Sequence, residues 1–544
     1  MMTDAAAESP AETETETETV PDAPAPTRAP APPPLRLLLD LDPAPAAVLA
    51  KNDLILAHAP KRPVVRRLRQ VFWDTPGLTI GRQGVGFAIE TIGRRRQQLL
   101  RPIGAAPTGG RILIPVTAPL DGERLDPARL AFLPGVDVGQ VARLLPGDLV
   151  PVFALDLHRT VWQLQWGETH LSLTLERAAI EAGAGKLEPC QIELALQAGP
   201  AQGLYEFAAK LHRSLAFRLA TRDAVQQAYR LVAAEDWWWV EPGNAPALEV
   251  HMTVEQGILA IGRAAVADLR VEISGLDTAM SADQVHRARV AMRRLRSVLS
   301  VFGKALPDQP RRALSRDLSA LAAALGRARE WDVFVADTLG PLLAALGEER
   351  GLKGLGFTAA VLRERAAAEA LAAVEASDFM GLSLRLASWF DAGLWPEPPG
   401  AEAASLLAEP LGRYALALLK KSHKRFLAAG THLSGATAGE LHTLRIDAKR
   451  LRYITEFFRP LFPVKATRRY VAALRDIQDI LGTLNDAVVA RGLAAKLAAQ
   501  DDAHGARTAG LVAGWSAAET EAARRRFAEV WRKFVKVPRF WKDR

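Results

Sequence analysis

One motif occurs twice in this chain. His286-Arg287-Ala288-Arg289-Val290-Ala291-Met292-Arg293-Arg294-Leu295-Arg296 returns 156 residues later as His442-Thr443-Leu444-Arg445-Ile446-Asp447-Ala448-Lys449-Arg450-Leu451-Arg452. The shared pattern is H-x-x-R-[VI]-x-x-[RK]-R-L-R. Such a repeat predicts two similar halves built from the same unit. It is mostly cationic, whereas a repeat made for packing is mostly apolar. An anion is therefore the first partner to consider.

On a helix the pattern sorts into faces. At about 100° per residue, His286, Arg289, Arg293 and Arg296 fall within roughly 80° of one another, with Arg294 at the flank. Ala288, Ala291, Met292, Leu295, Val298 and Leu299 take the opposite side. The second copy repeats this with His442, Arg445, Lys449 and Arg452, flanked by Arg450, and with Leu444, Ala448 and Leu451 behind. Like charges at i,i+3 and i,i+4 mildly destabilise a helix. Each row therefore faces a ligand or open solvent, and duplication with a histidine at the head of each row favours the ligand.

The charge distribution agrees. The formal net charge is +8, but residues 271–544 carry +12 and residues 1–270 carry −4. Basicity thus belongs to the half with the repeat, which favours a polyanion there: nucleic acid, an acidic membrane surface or a phosphate polymer. A single cysteine, Cys190, excludes an intrachain disulfide and suits a reducing cytoplasm. Residues 1–34 combine Glu-Thr repeats with Pro/Ala and read as a disordered tail rather than a signal peptide. No charge-free apolar run of about 18 residues occurs, so no membrane span is expected.

Residues 35–232 read as mixed α/β. Strand-type segments fall at 35–41, 68–73, 112–116, 152–157, 161–166, 171–175 and 191–196, separated by turn residues, with a helix at 203–214. Many short antiparallel strands predict a barrel or a strongly curved sheet. Residues 233–247, containing Trp237-Trp238-Trp239 and Pro242-Gly243-Asn244, read as a linker. From 248 to 544 an Ala/Leu/Arg pattern of helical period predicts an all-helical domain of about ten helices. Breaks are expected near 303–310, 351–356, 395–400 and 462–463, and each half is expected to approximate a four-helix bundle. A second echo supports two halves: Leu325-Gly326 leads to Asp332, and Leu481-Gly482 leads to Asp486. Either acid reads as a partner for the cations or as a helix cap.

These residues resemble the CHAD domain, the conserved-histidine α-helical domain, over about residues 275–540. The segments that carry the resemblance are 286–302, 325–333, 441–458 and 480–486. The resemblance implies two pseudo-symmetric helical bundles facing each other across a basic cavity. It also implies binding of inorganic polyphosphate. Carried over by position, one wall would hold His286, Arg289, Arg293 and Arg296, and the other His442, Arg445, Lys449 and Arg452, with Arg294 and Arg450 beside them. Lys420, Lys421, Lys424 and Arg425, and Arg468 and Arg469, would extend the track. Attachment to polyphosphate granules in the cytoplasm follows from the same resemblance.

The N-terminal half resembles a CYTH domain, the triphosphate-tunnel barrel. Val71-Phe72-Trp73-Asp74-Thr75-Pro76-Gly77-Leu78 is similar to that family's Y-x-D-T-P-x-L segment, and Arg159 and Glu193 stand where it uses charged tunnel residues. Its E-x-E-x-K strand corresponds to Leu35-Arg36-Leu37-Leu38-Leu39, with leucine at all three charged positions. The late acidic strand keeps Glu193 but shows Gln191 and Ala195. A triphosphatase needs carboxylates for Mg²⁺ or Mn²⁺ and cations for three phosphates. The eroded pattern therefore predicts a non-catalytic barrel with no catalytic residues, no metal ligands and no cofactor.

The leading expectation is a polyphosphate-binding protein. A metal-dependent triphosphatase with an unusual tunnel is the enzymatic alternative, and Mg²⁺ or Mn²⁺ enters only there. Nucleic-acid binding through the basic rows is a second alternative, disfavoured because aromatics for base stacking do not interleave the cations. Metal binding by His286 and His442 is disfavoured by the surrounding arginines. The sequence leaves the oligomeric state open.

Overall fold

The computed structural model describes residues 35–541 apart from 104–114, 121, 123–124, 127–148, 184, 234–245, 275, 277–280, 347–349, 396–399, 431–436 and 500–504. The expected tail at 1–34 and the Trp237-Trp238-Trp239 linker lie outside the described residues.

The N-terminal region is built on β1 (Arg36–Asp40), β2 (Val64–Asp74), β3 (Val85–Ile92), β4 (Arg95–Pro102), β5 (Val116–Pro119), β6 (Val150–Trp166), β7 (Thr169–Ala182), β8 (Gly185–Leu187), β9 (Cys190–Ala198) and β10 (Arg218–Leu219). The described ladders are antiparallel, in the order β10-β1-β9-β7-β6-β2-β3-β4-β5, with β8 on β7. The expected antiparallel architecture is present, and its described strands follow an open path from β10 to β5. The segments at 152–157 and 161–166 are one strand, because β6 pairs without interruption through Arg159 and Thr160 to β7. A short polar run does not end a strand when its successive side chains take opposite faces. Residues 112–114 lie outside the described residues, and the strand near them is β5.

Short helices α1 (Pro43–Val48), α2 (Asp53–His58) and α3 (Thr79–Arg82) connect strands, followed by α4 (Gln202–His212) and α5 (Ala224–Val232). Strand alternation sends Leu37, Leu39, Leu173, Ile192 and Leu194 to one face, where Leu204, Phe207 and Leu211 of α4 cover them. Met380, Leu384 and Ala387 from the helical region join this same buried cluster, so the sheet and the helices share a core.

The helical region comprises α6 (Val254–Ser274), α7 (Ala282–Val301), α8 (Asp308–Val333), α9 (Gly340–Leu346), α10 (Arg350–Glu375), α11 (Phe379–Asp391), α12 (Ala401–Ala408), α13 (Leu411–Ala429), α14 (Ala438–Phe458), α15 (Val464–Ala498) and α16 (Gly505–Val535). Breaks occur within the expected 303–310 and at 462–463; around the expected 395–400, of which 396–399 lie outside the described residues, α11 ends at Asp391 and α12 begins at Ala401. The break expected at 351–356 does not occur, because α10 runs through Gly351, Gly354 and Gly356. Glycine costs about 1 kcal/mol relative to alanine in a helix interior. Packing of α10 on α8 outweighs that preference.

The two halves correspond helix by helix. In the first, α6, α7, α8 and α10 pack in succession; in the second, α13, α14, α15 and α16 do the same. Across the middle three of the four helices meet their own counterparts: α7 with α14, α8 with α15, and α6 with α13. That is the contact pattern of a two-fold related pair written into one chain. The repeat extends beyond the motif into its caps. Ser281 and Gln284 form a capping box on α7, and Thr437 and Glu440 form one on α14. Pro307 and Pro463 occupy the N-cap position of α8 and α15. One buried cluster, from Leu248 and Val254 to Phe540 and Trp541, serves both halves.

Candidate anion-binding site

The two motif helices bury the apolar side read from the sequence. Ala288, Ala291, Met292, Leu295, Val298 and Leu299 of α7 are buried, as are Leu444, Ala448 and Leu451 of α14. The cation rows are left at the junction of the halves. Arg293 is the common member, because its charge acts on His286, Arg289, Arg445 and Lys449. Arg445 of the second half likewise acts on Arg289 of the first. The structure thus brings Arg289, Arg293, Arg445 and Lys449 into one electrostatic cluster, with His286 at one side.

Each member is held differently. Arg289 donates from Nη1 to the Ala322 carbonyl at 2.9 Å. A Cβ at Gly326 would lie 2.5 Å from that nitrogen, which gives the Leu325-Gly326 echo a physical reason in the first half. Arg293 donates from Nε to the Tyr453 hydroxyl at 2.6 Å. The Nε of Arg445 is buried and finds no hydrogen-bond partner among the described residues. The Nε of Arg452 lies 3.5 Å from Glu456, within ion-pair reach but without hydrogen-bond alignment.

Crowding of like charge in a half-buried place perturbs the titrating groups. Burial, then Arg445, Arg293 and Arg452, push the Lys449 ammonium down to about 7. Burial and the guanidinium of Arg329, followed by Arg293, hold His286 below the usual histidine range. Burial and like-charged neighbours also lower Arg289, and burial and Arg293 lower Arg445. Both guanidiniums remain charged, because arginine starts so far above neutral pH. Asp486 opposes these shifts at Arg445 and Lys449. It lies within α15, so it is a charge partner and not a cap. Asp332 ends α8 and lies 4.0 Å from Arg363, so it caps no helix N-terminus either.

Other residues named from the sequence lie apart. Arg294 turns to α6 and pairs with Asp268 at 3.2 Å. Arg450 occupies the corresponding position and acts on the Tyr414 hydroxyl of α13. Arg425 pairs with buried Asp447 at 2.9 Å and so anchors α13 to α14. Arg296, His442, Lys420, Lys421, Lys424, Arg468 and Arg469 are exposed. His423, within the same basic run, is buried, shares a 2.7 Å hydrogen bond with Tyr470, and is pushed by burial down to about 4. Tyr453 falls within the 441–458 segment that carries the resemblance but one residue beyond the repeated motif, and the sequence alone gives neither its role nor the reason for Gly326. Adjacency to the second motif and the paired glycine were the available signals.

The second polar face lies on the sheet, opposite the α4-covered side. There Arg36 pairs with Glu193 at 3.5 Å, Arg159 with Glu176 at 2.5 Å, and Glu90 accepts from Gln70 and Gln97. Register places Leu38 opposite Glu193 and Asp40 opposite Gln191, so Arg36, Leu38 and Asp40 share this face. Leu37 and Leu39 point into the core instead. These residues do not fit the divalent cation that an active tunnel would use. The carboxylates are engaged by arginine or glutamine, and among the described residues no three His, Cys, Asp or Glu side chains gather as a metal set. Also among the described residues, no helix is long and apolar enough to cross a membrane.

Comparison with known proteins gives the following. The family model described as the CHAD domain matches residues 260–495. The crystal structure of the CHAD domain from the plant Ricinus communis is similar at 28% identity, covering 55% of this chain and 96% of that one, with a TM-score of 0.48. PptA from Streptomyces chartreusis is similar at 19% identity over 52% of this chain and 99% of that one, TM-score 0.41. The adenylyl cyclase-like HpAC1 from Hippeastrum, described as having a dominant triphosphatase activity, is similar at 13% identity over 37% of this chain and 97% of that one, TM-score 0.24. No curated protein sequence matches the chain.

Proposed function

Residues 260–495 of this chain are a CHAD domain, and from that premise we propose that the protein binds inorganic polyphosphate between α7 and α14. The observation that carries the reading is the electrostatic cluster of Arg289, Arg293, Arg445 and Lys449, contributed by both halves. Four cations held together and partly desolvated repel one another, and an anion relieves that repulsion. The unpartnered Nε of Arg445 supports the same reading, because a buried donor without an acceptor costs about 1–3 kcal/mol. A polymer with one negative charge per phosphate offers acceptors at every step, and guanidinium groups match phosphate oxygens in geometry as well as charge. Binding of this kind releases counterions and weakens with salt. The Tyr453 ring beside the cations is buried and so offers nucleobases no face to stack on. No cofactor enters the reading, and the sheet domain, whose polar-face carboxylates are engaged by arginine or glutamine, is given no catalytic step.

The test is calorimetric titration with long-chain polyphosphate at two salt concentrations, with duplex DNA as competitor. Tight binding that salt weakens and DNA does not displace is expected. Charge removal at His286, Arg289 and Arg293 together, or at His442, Arg445 and Lys449 together, is expected to weaken binding at least a hundredfold while leaving the thermal midpoint near that of the parent. Parent-like affinity in both triple variants would end the proposal.

A further inference from the structure

We infer that Tyr453 is the positioning residue of this anion site, fixing a cation of each wall from beneath; the inference rests on the polyphosphate reading above. Tyr453 is 2% exposed, so it forms part of the floor and not of the surface. Its hydroxyl accepts from the Arg293 Nε at 2.6 Å, joining residues 160 positions apart in sequence. The Arg452 guanidinium carbon lies 5.4 Å from the centre of its ring, a cation–π distance. The ring stacks on Phe457 at 6.2 Å, which limits its freedom to turn. One side chain thus meets a cation of the first half through oxygen and a cation of the second through its face.

The pseudo-two-fold relation is broken at this point. The position equivalent to Tyr453 in the first half is Ser297, whose hydroxyl donates back to the Arg293 carbonyl at 2.8 Å within its own helix. The first wall therefore has no tyrosine of its own, and the single tyrosine serves both. Its partner is also the cation with the widest influence, since Arg293 acts on His286, Arg289, Arg445 and Lys449. Fixing Arg293 fixes the centre of the field. An arginine side chain otherwise gives up much rotamer freedom on binding. Preordering by the Tyr453 oxygen lets that loss be met on folding instead of on ligand binding.

The experiment is a double-mutant cycle with Tyr453→Phe and Arg293→Gln, read by titration with long-chain polyphosphate. Tyr453→Phe keeps the ring, the stack and the cation–π contact and removes only the oxygen. Because a hydrogen bond to a charged group is lost, a weakening of about tenfold is expected. In the Arg293→Gln background the same change is expected to cost less than about twofold, because the partner is gone. An equal loss in both backgrounds, or no loss in either, overturns the inference. A second readout does not depend on polyphosphate: the Arg293 Nε–H resonance should exchange slowly with solvent in the parent and rapidly in Tyr453→Phe. If the parent fails to bind polyphosphate, the functional reading falls. The resonance then decides the role of Tyr453 alone, and a rapidly exchanging Arg293 Nε–H in the parent overturns it.

Discussion

Polyphosphate binding should draw a proton onto Lys449, and the pH dependence of affinity should follow that residue more than the histidines that lead the rows. Burial and the charges of Arg445, Arg293 and Arg452 leave the free ammonium titrating at about 7. A phosphate chain laid against it supplies the opposite charge and returns it toward the ordinary lysine value of about 10.4. If only the charged form binds well, affinity follows the charged fraction of the free protein. That fraction falls from about nine-tenths at pH 6 to about one-tenth at pH 8, so affinity should drop about tenfold over that interval. The complex should take up about half a proton at pH 7 and about nine-tenths at pH 8. Calorimetry in buffers of different ionisation enthalpy measures this uptake directly. His286, already held below its usual range by burial and Arg329, is neutral in the free protein over most of this window and adds its own dependence at lower pH. Lys449→Arg keeps the charge at every pH and should flatten the profile between pH 6 and 8. The same displacement has a consequence without ligand. The unfolded chain holds this proton up to about pH 10, whereas the folded chain loses it near 7, so the group's contribution to stability rises as pH rises through that range. Uptake near zero at pH 8 with tight binding intact, or an unchanged profile in Lys449→Arg, would refute this reasoning.

Four further substitutions have expected outcomes. Gly326→Ala should weaken polyphosphate binding several-fold, because the new methyl would meet the Arg289 guanidinium, while Gly482→Ala, with nothing within 4 Å, should leave binding unchanged. Thermal melts should show Gly482→Ala more stable by about 1 kcal/mol, the usual helix-interior preference for alanine. Arg425→Ala should lower the unfolding free energy by about 1–2 kcal/mol by denuding buried Asp447, with the arginine's exposure keeping the loss modest. Lys420→Ala, on an exposed position of the same helix, should change stability by less than about 0.5 kcal/mol in chemical denaturation.

The helical half was largely legible because its signals are local and repeated. The 3.6-residue period separated Leu295 and Leu451 from the cations on the same helices, and Pro307 and Pro463 lie at the breaks expected on each side. Propensity failed at Gly351, Gly354 and Gly356, where packing against α8 keeps the helix running. In the sheet, the sequence divides β6 at His158-Arg159-Thr160, because three polar residues in a row do not reveal that successive side chains take opposite faces of one strand. Register had the same effect at β1. Leucine at 35, 37 and 39 was read as loss of three tunnel positions, whereas pairing with β9 places Arg36, Leu38 and Asp40 on the polar face.

Sequence by itself determined that two amphipathic helices exist, that each carries a row of cations, and that the rows belong to equivalent halves. Those are properties of neighbours within a turn or two, and helical geometry converts them into faces without help from the rest of the chain. Tertiary structure decided which cations act together. Arg294 and Arg450 match the motif as well as Arg293 and Lys449 do, yet the first pair turns toward α6 and α13 and the second pair meets in the centre. The hydrogen bond from Arg293 to Tyr453 spans 160 residues, and the lowered titration of Lys449 arises from charges on both halves. Electrostatic coupling depends on distance and burial, and for groups this far apart in sequence both are set only when the helices pack.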